Sequence, residues 1–354
     1  MDFVMLFKKS AAVALVLVMA LSLTGCSKTE VLDGTLTAAT LDGTVEVPLG
    51  EISLMLRYDQ ANMQSVYGTL FGYDNMYGED MYGTGELYGE TMLETYIEEF
   101  ELLYVLEAEA EGYGVELDAD EETTISETAA EFIEANTEEA ILALGVDQEM
   151  VEHVLTLYAI QEKMYDALTA DVDTEVSDEE AAQKRASYVY VSTEGTETDD
   201  DGNTIDLTDE EIEVLRDRMQ AVYDAVLELG DLDEAVAQVN EEEGLDEDDE
   251  LSPYELTFGE GDSAFTDVVQ EEVDELEEGE AVMIEADNGL IYVVYLITEM
   301  DEEATEEEKL NIIEERKDEL YDENCELLSA EHEFVTDEDV LALLTFDRAY
   351  TLAE

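Results

Sequence analysis

The stretch RASYVYVSTEGT, Arg185–Thr196, decides how this chain is read, because it alternates like a β-strand in the midst of long acidic helical sequence. A strand needs partners, since a lone ribbon cannot bury its apolar face. Candidates stand downstream. AVMIEA (281–286) and LIYVVYLI (290–297) are β-branched runs joined by a hairpin-like turn at Asp287-Asn288-Gly289, and LSPYELTF (251–258) precedes them. Helices fill the gaps. Val176-Ser177-Asp178-Glu179-Glu180 reads as a capping box that starts a helix running into the strand SYVYVS. Leu207-Thr208-Asp209-Glu210-Glu211-Ile212 is a second one, with Leu207 and Ile212 as a hydrophobic staple, opening a helix to about Leu229. DLDEAVAQVNEEEG (231–244) forms another short helix, and Ala264–Leu276 a further one before a turn at Gly279. The order strand, helices, strand, helix, strand, strand over 186–299 is an α+β module.

On the N-terminal side, GTVEVPLGEISLML (43–56) gives a short strand ending at Pro48 and then a helix. Ile52, Met55, Leu56, Met63 and Val66 recur at spacings near 3.6 residues, which predicts an amphipathic helix over 51–66 that needs a partner face. Residues 67–89 carry Tyr-Gly or Gly-Tyr pairs such as Tyr67-Gly68, Tyr77-Gly78 and Tyr88-Gly89. Two readings stand: an adaptable loop for extended peptide, or an insertion whose tyrosines pack on their own domain. Acidic helices with apolar stripes follow over 91–111, 120–135 and 137–168, the last interrupted near Gly145. His153 has no second His or Cys nearby and reads as an ordinary helix residue. Glu194–Asp206 is an acidic loop. Setting Gly202 as the sixth position of a calcium loop puts Thr208 where a bidentate Glu is required, so it reads as an insertion.

Composition sets limits. The 354 residues are 45% hydrophobic, enough for two or three cores, but 98 Asp and Glu face only 13 Lys and Arg, a net charge of −85. A phosphate backbone would be repelled from nearly every face, which excludes nucleic acid as a partner. The acidic runs read as solvated surface that binds cations loosely. The N-terminus carries basic Lys8 and Lys9, the apolar run AAVALVLVMALSL (11–23) and then Thr24-Gly25-Cys26. Leu23-Thr24-Gly25-Cys26 resembles the lipobox of bacterial lipoproteins, which implies cleavage before Cys26, lipid on its thiol, and a place on the extracytoplasmic face of the cell membrane. Removing residues 1–25 takes away one acid (Asp2) and two bases (Lys8 and Lys9), moving the charge to −86. Only Cys325 is then left as a thiol, so no intrachain disulfide forms; beside Leu327 and Leu328 it reads as buried and inert.

Several segments of the module resemble the parvulin-type peptidyl-prolyl isomerase domain. ASYVYV (186–191) follows the pattern of that family's opening Ala-Arg-His-Ile-Leu-Val strand. LELGDLDEAVAQVN (227–240) resembles its leucine-x-x-glycine-x-x-phenylalanine-x-x-x-alanine helix pair through Leu227, Gly230 and Ala237, departing at the aromatic, where Leu232 substitutes one residue early. Phe258-Gly259, Phe265, Leu276–Glu280 and Asn288–Val293 follow the remaining landmarks in order. Together with the leader, GTVEVPLGEISLMLR (43–57) and a helix over 305–328, the chain from about Asp42 to Leu328 resembles the PrsA-type foldase lipoproteins, relatives of the chaperone SurA.

That resemblance implies an α+β protein in which N- and C-terminal segments form one helical chaperone domain and an antiparallel-sheet, parvulin-like domain is inserted between them. The boundaries it implies are a signal peptide over 1–25, a tether over 26–40, an N-terminal domain over 41–176, the parvulin-like domain over 177–300, and C-terminal helices over 301–354. No cofactor or metal is implied, and the partners would be unfolded or newly exported polypeptides and, through the lipid anchor, the membrane. The family floors its pocket with two histidines. Here Tyr188 and Ile291 stand at those positions, the family's Cys or Asp falls in the acidic run 246–249 at Asp246, and Phe258 and Phe265 keep part of the ring pocket. The implied isomerase site is degenerate, with the Tyr188 hydroxyl left for residual activity. The other reading is a non-catalytic acidic surface lipoprotein that binds cations or a cell-wall ligand. A hydrolase has no support, because no paired His stands with Ser or Cys and His332 is isolated.

Overall fold

A computed structural model describes residues 21–24, 31–194, 207–245, 250–262 and 264–352, with the backbone only for 21–24 and 69. The chain is α+β, and it forms two compact units, one from residues 1–172 with 317–354 and one from 173–316. The second division falls inside the long helix Glu302–Ser329, not at 300/301.

In the unit 173–316, strands β4 (Lys184–Ser192), β5 (Tyr254–Phe258), β6 (Ala281–Glu285) and β7 (Leu290–Thr298) form an antiparallel sheet ordered β5-β4-β7-β6. The strand Lys184–Ser192 thus sits inside the sheet, paired on both sides. The β6–β7 hairpin closes on Asp287-Asn288-Gly289, where Gly289 takes φ +75°, a left-handed conformation that costs glycine nothing. Helices pack on both faces. Helices Asp209–Leu229 and Leu232–Glu243 pack over Val189, Ile291 and Val293, while helix Asp267–Asp274 packs over Ala186, Val294 and Leu296. That is why LIYVVYLI reads as a continuous apolar run: consecutive residues serve opposite cores. Thr208 caps its helix, accepting from Glu211 N while Glu211 returns a carboxylate oxygen to Thr208 N at 2.8 Å.

Three expectations in this unit change. Ser177 does accept a bond from Glu180 N (3.1 Å), but the chain makes one turn and no helix. Gln183 is already claimed on both sides, its N–H by Thr305 Oγ1 and its C=O by Asp301 N, so the backbone is committed before a second turn can form. The helix expected over 264–276 spans only Asp267–Asp274. The loop expected as an insertion at 194–206 lies, from 195 on, outside the described residues.

In the other unit, β2 (Thr37–Leu41) lies between β3 (Val45–Pro48) and β8 (Phe334–Thr336), with Ala38, Ala39 and Leu41 buried. The tether over 26–40 is corrected to that extent: small Thr and Ala residues look like a linker, yet they suit a strand paired on both edges. Residues 26–30 of it lie outside the described residues. Helix Leu49–Met63, followed by a single π-turn Gln64–Gly68, is buried on every side from Leu49 to Ala61, so it is a central helix and not an amphipathic one. Its charged residues are matched, while the buried Ser53 hydroxyl has no hydrogen-bond partner among the described residues. Glu51 accepts from Tyr104 Oη at 2.6 Å, Asp59 accepts from Tyr77, and Arg57 donates to Thr345 O at 2.6 Å beneath the rings of Phe346 and Tyr350. Helices Tyr88–Tyr113, Ala119–Ala135, Glu138–Leu144 and Gln148–Leu168 complete the core. The C-terminal segment, expected as helices, contains β8 and also β9 (Ala349–Leu352), which pairs with β1 (Leu21–Thr24). Of the tyrosine-glycine segment, Tyr77 is buried against Tyr88 while Tyr82 is exposed. Cys325 is buried and free, and burial pushes its thiol up to about 11.

Candidate aromatic site on the sheet of the second unit

Strand parity builds this site. Tyr188 and Tyr190 alternate on β4, Tyr254 stands opposite Tyr188 on β5, and Tyr292 stands opposite Tyr190 on β7, so four tyrosines share one face. Tyr188 and Tyr254 stack with centroids 5.5 Å apart, Tyr190 lies 5.9 Å from Tyr254 and 5.8 Å from Tyr292. Phe265 meets Tyr188 edge-on at 5.3 Å and Tyr292 at 6.3 Å. It arrives from the segment just before helix Asp267–Asp274, held by its own N–H on Gln270 Oε1 at 3.2 Å. Phe258 is buried beneath Phe265 and supports it.

The face is graded from dry to wet. Tyr292 is 9% exposed, whereas Tyr190 and Tyr254 are 41% and 49% exposed. Burial, then the neighbouring Tyr190, Tyr254 and Tyr292 hydroxyls, push the Tyr188 phenol above its ordinary value, so it stays a neutral donor at physiological pH. Among the described residues the cluster consists of phenol and phenyl rings. The arrangement can therefore stack on an apolar or cyclic side chain and donate hydroxyl bonds to carbonyls.

The structure brings Tyr188, Phe258 and Phe265 together. It does not bring Ile291 to them, and this residue is corrected: Ile291 pairs with Val191 and is buried on the opposite face with Val189 and Val293. The tyrosine next to it, Tyr292, occupies the aromatic face. Asp246 and Cys26 lie outside the described residues. Tyr190, Tyr254 and Tyr292 were missed by sequence reasoning. Their signal was present as aromatics at alternate positions, and reading it required the β4–β7 register. Among the described residues no cluster of three or more His, Cys, Asp or Glu could hold a metal ion, and no helix is long and apolar enough to cross a membrane.

No protein-family model matches the chain, and no curated protein matches it in sequence. Among solved structures, the foldase protein PrsA from Streptococcus pneumoniae strain Canada MDR_19A is similar to it over 75% of this chain and 98% of its own, at 15% identity and a TM-score of 0.32. At that score the likeness carries no argument.

Proposed function

We propose that this chain is a folding factor, anchored through lipid at Cys26 on the extracytoplasmic face of the membrane, that holds unfolded or newly exported polypeptides on the aromatic face of its inserted sheet domain. One observation supports it above the rest: four tyrosines and a phenylalanine converge on one sheet face with Tyr190 and Tyr254 open to solvent. Exposed aromatic rings with donor hydroxyls recognise extended chain with little sequence demand, each ring pair contributing about 0.5–1.5 kcal/mol beyond its buried area. The chemistry is non-covalent. Prolyl isomerisation faces a barrier of roughly 20 kcal/mol, and with Tyr188 at one of the resembling family's histidine positions and Ile291 at the other, buried on the opposite face, this site lowers it weakly.

The test pairs two assays on the mature chain and on Tyr190→Ala/Tyr254→Ala. Suppression of aggregation of an unfolded client should fall several-fold in the variant, while prolyl-peptide exchange is slow in both. Unchanged suppression would sink the aromatic-face reading, and suppression absent from both proteins, with tight cation uptake, would favour an acidic cation-binding surface protein.

A further inference from the structure

We infer that β9, Ala349–Leu352, is a strand-acceptor edge that accepts an extended, uncharged or basic polypeptide segment once the leader has been removed. This second binding site lies in the other unit and rests on cleavage before Cys26. The partner that β9 pairs with is β1, Leu21–Thr24, in antiparallel register from Leu21 opposite Leu352 to Thr24 opposite Ala349. All four residues of β1 fall in the segment that cleavage discards. Its sequence, LSLT, shows what the edge accepts: an extended run of alternating apolar and small polar residues without charge.

The edge does not depend on β1 for its own position. Arg57, buried in helix Leu49–Met63, lies 4.9 Å from the Tyr350 ring centroid and 5.0 Å from that of Phe346 and donates to Thr345 O, while Gln60 Nε2 donates to Arg348 O at 2.7 Å and Leu352 N donates to Ser65 Oγ at 3.2 Å. These anchors grip the strand from the side of the helix and the π-turn, so departure of β1 leaves an ordered strand with an open ladder. Such an edge is a template for strand addition. Beside Ser65 begins an exposed apolar patch, Val66, Leu70 and Phe71, where flanking side chains of an added segment find contact. The net charge of −86 left once residues 1–25 are removed disfavours an acidic segment and favours a neutral or basic one.

The experiment titrates the mature chain, residues 26–354 with Cys26→Ser, with a lysine-flanked LSLT peptide and with the same peptide carrying proline for serine, and follows amide exchange at Ala349–Leu352. The first peptide should bind and slow exchange at these amides by about tenfold or more, and proline, which lacks a ladder N–H, should weaken binding about tenfold. Absence of protection, equal binding of the proline peptide, or a dimer of mature chains through β9 would each overturn the proposal. Mass analysis of the native N-terminus checks cleavage separately, and client aggregation with the Tyr190/Tyr254 variant checks the aromatic face, so a failure of each reading is distinguishable from the others.

Discussion

His153 carries a clamp that composition alone would not suggest. Its Nδ1 lies 2.9 Å from Glu51 Oε1, its Nε2 lies 3.2 Å from both oxygens of Glu107, and Tyr104 donates to the other oxygen of Glu51 while its ring meets the imidazole edge-on. Burial alone would lower the imidazole pKa, but the hydrogen bonds and charges of Glu107 and Glu51 outweigh it and hold the group at about 10. His153→Ala leaves Glu51, 2% exposed, with one phenol as its partner, and should cost about 3 kcal/mol at pH 7. Because the folded pKa is raised, this contribution is complete below about pH 6.5 and is lost as pH rises through about 10. Urea unfolding at pH 6 and pH 9.5 should show the gap between wild type and variant shrinking at the higher pH; an equal gap would refute the clamp. The chain's other histidine, His332, likewise bridges two acids, Asp42 at 2.8 Å and Glu109 at 3.1 Å. Neither clamp was legible in the sequence, since each joins residues on elements far apart in the chain. A histidine judged by its sequence neighbours looks alone when its partners come from other elements.

At the scale of the element, strand identity was legible and strand parity was not. SYVYVS, AVMIEA and LIYVVYLI announce themselves through β-branched and aromatic residues, and Asn288-Gly289 announces the turn between the last two. Which residue of β7 faces which side depends on the register with β4, and one residue of error moves a side chain to the opposite core. Ile291→His therefore buries an imidazole among Val189 and Val293, and should lose about 3 kcal/mol and gain no isomerase activity. Tyr188→His with Tyr292→His sets both imidazoles on the aromatic face, and proline-peptide exchange should speed up in that variant alone. Acceleration by Ile291→His would contradict the register. Capping was the most legible element signal, because a helix N-terminus can be satisfied within four residues: Thr208→Ala should cost about 1 kcal/mol in thermal unfolding, with no change in the sheet's circular dichroism. At Ser177 the same signal failed because tertiary bonds to Gln183 took the backbone first.

At the scale of the molecule, charge governs. Several basic side chains are committed to acids close by: Arg216 binds Glu213 and Glu285, Lys309 binds Asp178 and Glu306, Arg185 binds Asp301, and Lys163 binds Glu121. These pairs are exposed and each is worth little, while the excess of carboxylates remains to repel itself through solvent. Repulsion of that kind acts over the Debye length, about 30 Å at 0.01 M salt and about 3 Å at 1 M. The unfolded chain relieves it by expanding, so salt should stabilise the compact state. The melting temperature followed by calorimetry should rise by at least about 5 °C between 0.01 and 1 M sodium chloride, and more steeply in calcium chloride at matched ionic strength. Mild acid should act in the same direction through the buried acids Asp59 and Glu99, whose burial raises their pKa: the folded state then binds protons more readily than the unfolded one, and stability grows as pH falls from 7 towards 4.5. If salt left the melting curve unmoved while acid raised it, the carboxylate surface would have to be neutralised by bound cations, and the buried acids alone would carry the response.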